Sequence, residues 1–311
     1  MTSNQTVLDV REVRLSYGNV QALDNVSFNI SRGSLTALIG PNGAGKSSIV
    51  KAICGRIAFD AGQIEINGIN IKERSARATL GVAPQRPALY DHLTAFENLF
   101  SFARQSGLPK SDALEHVESV LPIIGFDKSD RRLAKHMSGG MRQRINIGGA
   151  IVHRPTLVIL DEPAAGLDPS ALKQINSLIA SLKNEGFGIL LITHDMPQAA
   201  QLADQVTVLE QGKICAQGTP RQLVSKYFQN DIRLKVASTH ASILERHGFQ
   251  PDPDDTDFHL SYLPEEGAAL LKINALMDAG IGLKNIEIST PDLHDAMSAA
   301  VKKQNARGAV E

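Results

Sequence analysis

The chain has 311 residues, 42% of them apolar and 21% charged, which is enough for one large domain and a smaller one and excludes wholesale disorder. With 32 Lys and Arg against 33 Asp and Glu, the net charge of −1 argues against nucleic acid as the main partner. Apolar runs such as Leu157–Leu160 and Ile189–Thr193 are strand-length, far short of the roughly 20 residues of a membrane-spanning helix. The N-terminus has no signal-peptide pattern, and Cys54 and Cys215 stand far apart without metal-ligand spacing, so the chain reads as cytoplasmic.

Short apolar, β-branched runs predict strands at Val7–Leu15, Val26–Ile30, Leu35–Ile39, Gln63–Ile66, Gly81–Ala83, Leu157–Leu160, Ile189–Thr193, Gln205–Glu210 and Lys213–Gln217. Helical patterns fall at Lys46–Cys54, Ala95–Gln105, Ser111–Ile124, Gly139–Val152, Pro169–Asn184 and Met196–Leu202. The alternation is that of an α/β fold with a largely parallel sheet. Asp168 before Pro169 marks a helix start with a cap and a first-turn proline. Between Gly107 and Met137 the pattern is helical throughout, part of a helical insertion over about residues 94–145. After Tyr227 the pattern begins again, with strands at Ile232–Val236, Phe258–Leu263 and Ile286–Ser289. Helices are expected at Thr239–His247, Glu265–Ala279 and Asp292–Lys303, with a turn at Pro251–Asp257 and a frayed tail from Gln304. That order predicts a small α+β domain of ferredoxin-like type. The expected division is 1–226 and 227–311.

Gly40-Pro41-Asn42-Gly43-Ala44-Gly45-Lys46-Ser47 fits G-x-x-x-x-G-K-[ST], and it follows an apolar strand and opens a helix. Its glycines let backbone N–H groups curl around phosphates, and the helix N-terminus adds the positive end of its dipole. Lys46 would reach the β- and γ-phosphates, the Ser47 hydroxyl would ligate Mg²⁺, and Ser48 belongs to the same cradle. The strand Leu157–Leu160 delivers Asp161 and Glu162. A carboxylate at that strand end can hold Mg²⁺ through water, and a second one beside it can polarise an attacking water. Thr193-His194-Asp195 ends another buried-type strand, where ligands bind in open α/β sheets, and a neutral His194 there could sense a γ-phosphate.

Met137-Ser138-Gly139-Gly140-Met141-Arg142-Gln143-Arg144 lies upstream of the Asp161 strand, and with the preceding motifs it resembles the ATP-binding cassette (ABC) ATPases over about residues 6–225. The resemblance implies a P-loop NTPase cassette with a helical subdomain, carrying a small C-terminal α+β domain. Tyr17 matches the aromatic that stacks on adenine. Gln85 matches the glutamine linking the γ-phosphate site to the transmembrane partner, and it is placed with the catalytic residues Glu162 and His194 and, beside Ser47 and Asp161, around Mg²⁺. Ser138, Gly139 and Gly140 match the signature that closes on ATP held by the opposite cassette, and Gly166-Leu167-Asp168 resembles the loop joining the two sites across a head-to-tail dimer. His194 matches the switch histidine. Three departures stand out: Met141 where glutamine is usual, Ala164 where threonine commonly follows Asp-Glu-Pro, and Gly148-Gly149 where alanine is usual.

Met141, the stretch Gln85–Leu99 and the ending Ile286–Met297 are similar to the type 2 exporters of drugs and polysaccharides. What this implies is an ATP-hydrolysing subunit, dimeric when working and peripheral on the cytoplasmic face of the membrane. It would use ATP and Mg²⁺ and energise a separately encoded permease, with export as the direction. An importer subunit shares almost every motif. An ABC ATPase acting on DNA or ribosomes is the other alternative, disfavoured by a single cassette and the lack of heptad-patterned insertions.

Overall fold

The computed structural model describes residues 5–228, 232–252, 255–263, 266–282 and 286–308. The chain divides into two compact units, 1–220 and 221–311.

The first unit opens with the long hairpin β1 (Thr6–Tyr17) and β2 (Val20–Ser31), turned at Gly18 with φ +58°. Then come β3 (Leu35–Ile39), α1 (Lys46–Ile53), β4 (Ala61–Ile66), β5 (Ile69–Asn70), α2 (Arg74–Ala78) and β6 (Leu80–Ala83). The helical stretch is α3 (Ala95–Gln105), α4 (Lys110–Ile123) and α5 (Gly139–Ile151). The unit ends with β7 (Leu157–Asp161), α6 (Pro169–Asn184), β8 (Gly188–Ile192), α7 (Met196–Leu202), β9 (Gln205–Glu210) and β10 (Lys213–Gly218), after which α8 (Pro220–Tyr227) follows. β2 begins six residues before the predicted Val26, because residues 20–25 bury only Leu23 and lack the β-branched alternation that marks Val26–Ile30. β5 and α2 escaped prediction because each is short, and α8 because it buries only Leu223 and so shows no apolar stripe.

An antiparallel sheet of order β2-β1-β4-β5 lies beside a six-stranded sheet of order β10-β9-β3-β8-β7-β6, parallel except for β10. β3 and β8 are buried at every position, as expected of central parallel strands covered on both faces. The registers Leu38↔Ile192 and Asp161↔Ile192 bring the carboxyl ends of β3, β7 and β8 to one level. The residues that follow those ends therefore share one crevice, the usual place for ligands in such sheets.

The helical stretch packs through Leu99, Val117, Leu121 and Ile145. α3 starts with a capping box, in which Thr94 accepts from the Glu97 N–H and the Glu97 carboxylate accepts from the Thr94 N–H. A side chain at Gly148 would put its Cβ 2.9 Å from Ile124 and 3.0 Å from Leu99, and at Gly149 2.6 Å from the Phe102 ring. The two glycines thus let α5 approach α3 and the end of α4 closely, which offsets their poor helix propensity of about 1 kcal/mol each.

The second unit contains β11 (Ile232–Ala237), α9 (Ala241–Arg246), β12 (Gln250–Pro251), β13 (Phe258–Leu263), α10 (Glu266–Asp278), β14 (Ile286–Ser289) and α11 (Leu293–Gly308). Its sheet, of order β12-β13-β11-β14 and antiparallel throughout, has the βαββαβ order of a ferredoxin-like unit. Leu234, Val236, Leu244, Phe249, Ile273 and Leu276 form its core. The alternate residues Arg233 and Tyr262, register partners, both bond Asp295 of α11. α11 continues past Gln304 to Gly308, where fraying was expected. Two of the residues in the predicted Pro251–Asp257 turn, and Glu265 at the predicted start of α10, lie outside the described residues.

Candidate active site

Between β3 and α1 the chain turns back on itself, and two glycines make this possible. Gly40 has a Cβ position only 2.1 Å from the Leu209 carbonyl, and Gly45, at φ +105°, has one 2.7 Å from the Ala22 carbonyl. Any side chain at either position would push the loop off its supporting strands. The Lys46 ammonium donates to the carbonyls of Gly40 at 2.6 Å and Pro41 at 2.8 Å, so it lies over the loop rather than in solvent. Burial lowers its pKa, opposed by the charges of Glu162, Asp161 and Glu210.

The loop forms one wall of a cleft of about 890 Å³. Of the sequence-predicted residues, Tyr17, Gly40, Pro41, Asn42, Gly43, Gly45, Lys46, Ser47, Ser48, Gln85, Asp161, Glu162 and His194 all line it. Ala44 is buried beneath the loop instead, and its carbonyl accepts from the Gly212 N–H at 2.9 Å. Asp161 ends β7, and its carboxyl pKa is raised by burial and then by neighbouring Glu162, with Lys46 opposing. Glu162 itself stands in the left-handed region at φ +48°, a conformation a non-glycine residue rarely adopts. Its N–H donates to the Ile192 carbonyl at 2.9 Å, and its carboxylate lies 2.8 Å from His194 Nδ1. The loop carrying His194 is held by its neighbours: Thr193 Oγ1 accepts from the Asp195 N–H at 3.0 Å, and Asp195 caps α7 through the Gln198 N–H at 2.8 Å.

Ser138, Gly139, Gly140 and Asp168 do not line this cleft. Ser138 caps α5, accepting from the Met141 N–H at 3.3 Å, and Gly140 sits where a Cβ would come within 2.7 Å of Ala171. Asp168 caps α6, accepting from the N–H groups of Ser170 and Ala171, both at 3.0 Å. The thioether of Met141 lies 3.7 Å from the Arg132 guanidinium. The Ala164 backbone carbonyl accepts from the Leu167 N–H at 3.2 Å, closing the turn that carries it.

Sequence reasoning missed Val20, Gln21, Ala22, Ile192, Gln211 and Gly212, which also line the cleft. The Gln211-Gly212 pair was legible as a hairpin turn, but nothing local marks it as part of a ligand wall.

Among the described residues no helix is long and apolar enough to cross a membrane. Residues 23–165 match the family described as "ABC transporter". The chain is 34% identical over 222 residues to the linearmycin resistance ATP-binding protein LnrL of Bacillus subtilis, covering 71% of each. It is 32% identical over 271 residues to the Nod factor export ATP-binding protein I of Mesorhizobium japonicum, covering 81% of this chain and 79% of that one. Among solved structures it is similar to an ATP-binding subunit of an ABC transporter, at 32% identity and TM-score 0.63, covering 71% of this chain and 93% of that one. It is also similar to cbiO1 of Clostridium perfringens, part of the transporter complex cbiONQ, at 28% identity and TM-score 0.66, covering 71% and 92%. A phosphate loop, a carboxylate pair and a histidine converge in one cleft of a cassette with these relatives, and the chain belongs to the ATP-binding, ATP-hydrolysing subunits of ABC transporters.

Proposed function

We propose that this ATPase subunit drives export through a separately encoded permease, working as a pair of cassettes on the cytoplasmic face of the membrane. Subunits of this family work with membrane permease components. The export direction is supported by the names of the relatives, one a resistance protein and one an export protein. The proposed cassette is residues 1–226 and the accessory domain 227–311, six residues from the division between the two compact units; each of the solved cassettes covers 71% of this chain.

The observation that carries the catalytic reading is the Glu162–His194 contact at the end of β7, in the cleft that also holds the phosphate loop. Adenine stacks on the exposed ring of Tyr17, and the phosphates lie on the N–H groups of residues 42–48 with Lys46 as counter-charge. Glu162 takes a proton from the lytic water, and His194, hydrogen-bonded to it, fixes the carboxylate and meets the γ-phosphate. The hydroxyl of Ser47 and the carboxylate of Asp161, with Gln85, suit Mg²⁺, because they are hard oxygen donors and the burial that disfavours an ionised Asp161 is offset by a cation. When bound, that ion neutralises charge on the β- and γ-phosphates. Ser138, Gly139, Gly140 and Asp168 lie outside the lining of this cleft, which supports a role toward ATP on a second cassette. The helix start at Ser138 offers backbone N–H groups suited to an anion.

The test is a strain lacking this chain, complemented with the wild type or Lys46→Ala and challenged with amphipathic antibiotics. Hypersensitivity relieved by the wild type alone supports export. A defect in uptake, with sensitivity unchanged, makes the chain an importer subunit and overturns the direction.

A further inference from the structure

The hairpin between β9 and β10 has two central residues, Gln211 at φ +47° and Gly212 at φ +76°, closed by the pair Glu210↔Lys213. Two positive φ values define a type I′ turn, whose first central position favours Asn, Asp or Gly. Gln is poorly suited there: it carries a full side chain into the left-handed region and is too long to make the local backbone bond that helps Asn. A residue held in an unfavourable conformation beside a ligand cleft invites a search for what its side chain does.

The turn is firmly placed. The Gly212 N–H donates to the Ala44 carbonyl at 2.9 Å, tying the turn to the phosphate loop, and the Gly212 carbonyl accepts from the Asp24 N–H at 2.8 Å. Gly212 also packs so closely on Ala22 that a Cβ would lie 2.7 Å from its carbonyl oxygen. Gln211 is exposed and lines the cleft, and its carboxamide makes no hydrogen bond to another described residue.

Its neighbours say which part of a nucleotide it meets. Tyr17 pairs with Val20, and Ala22 is two strand residues further on, a rise of about 7 Å. Through Gly212 the turn touches both Ala22 and the phosphate loop, so Gln211 borders the stretch of cleft that runs from the stacking ring to the phosphate loop. A nucleotide has its sugar there. We propose that the Gln211 carboxamide recognises the ribose hydroxyls, donating to one oxygen and accepting from a hydroxyl, and makes this cleft selective for ribonucleotides. The assignment rests on the reading of this cleft as the ATP site.

The experiment is calorimetric titration of the full chain with ADP and with 2′,3′-dideoxy-ADP, which lacks both hydroxyls and avoids turnover. The wild type should bind ADP about 5–10-fold more tightly than the dideoxy analogue, the worth of one or two hydrogen bonds. Gln211→Gly, which the turn accepts, should lower ADP affinity to that of the analogue, leave the analogue's affinity unchanged and melt no lower than the wild type. ADP affinity equal to wild type in Gln211→Gly, or an equal loss for both nucleotides, overturns the assignment. Lys46→Ala should weaken both nucleotides alike; if it weakens neither, the reading of the cleft fails, whatever Gln211 does.

Discussion

His194 Nδ1 and Glu162 Oε2 are 2.8 Å apart, a bond that joins the residues just beyond the ends of β8 and β7. The imidazole is largely exposed and the carboxylate largely covered, so the pair spans the boundary between cleft and solvent. A histidine that donates from Nδ1 to a carboxylate leaves Nε2 free to meet a second group, and it restricts where that carboxylate can point.

Glu162→Gln keeps the shape of this arrangement, because the amide oxygen still accepts from His194, but it removes the basicity. We expect hydrolysis to fall at least ~100-fold, the usual scale of a general base, while nucleotide binding persists and ATP with Mg²⁺ stabilises a dimer. Lys46→Ala should lose nucleotide affinity and with it the dimer. Phosphate release and size-exclusion chromatography read both, and near-normal turnover in Glu162→Gln would remove Glu162 as the base.

Asp161 gives a pH signature. Because burial and Glu162 raise its pKa, the nucleotide-free folded state holds a proton at pH values where the unfolded chain has lost it. Folding stability therefore falls as pH rises from the ordinary carboxylate range toward the raised pKa of the folded state. Asp161→Asn should melt above wild type at pH 7 without nucleotide, with the gap closing below about pH 4, the ordinary carboxylate range. The variant should also lose the added stability that ATP with Mg²⁺ confers. A variant that melts below wild type at pH 7 would show that Asp161 stabilises the empty cleft.

Gly148→Ala places a methyl between Ile124 and Leu99, at 2.9 and 3.0 Å, and both of those side chains are fully buried. Overpacking of about 1–3 kcal/mol outweighs the gain of up to about 1 kcal/mol in helix propensity. The urea midpoint of the cassette should fall. An unchanged or raised midpoint would mean that α3 and α4 yield at no cost.

In the second unit Asp295 is 3% exposed and accepts from Arg233, from the Tyr262 hydroxyl at 2.6 Å and from the Asp292 N–H at 2.8 Å. Asp295→Ala strands the Arg233 charge among largely buried neighbours, at about 3–5 kcal/mol. Hydrogen exchange should quicken across β11, β13 and α11, whereas exchange in β3, β7 and β8 and the affinity for ATP should stay as in the wild type. Loss of ATP affinity would argue against separate folding of the two units.

Legibility in the sequence followed range. α6 begins where it was expected, because Asp168 and Pro169 encode its start within two residues. The phosphate loop and the carboxylates were equally plain, since each is a short motif at a strand end. The start of β2 was not, because residues 20–25 gain their strand pairing from β1 rather than from a clear alternation of their own. Gln211 was invisible as a wall of the cleft for the same reason on a longer scale: residues 22, 44 and 212 meet only once the sheets are assembled. The Gly148-Gly149 pair stood out only as a departure from the usual alanine until Leu99, Phe102 and Ile124 supplied its cause.

The bonds from Lys46 to the carbonyls of Gly40 and Pro41 close the phosphate loop on itself through its own ammonium. A loop rich in glycine would otherwise sample many shapes, and each nucleotide would have to order it anew. Held this way, the cradle is already shaped before a phosphate arrives, so the ordering cost falls on folding, once, and not on every turnover. Exchange of ADP for ATP then becomes a matter of moving water and charge rather than of rebuilding backbone, which suits a motor that must reload many times from one folding event.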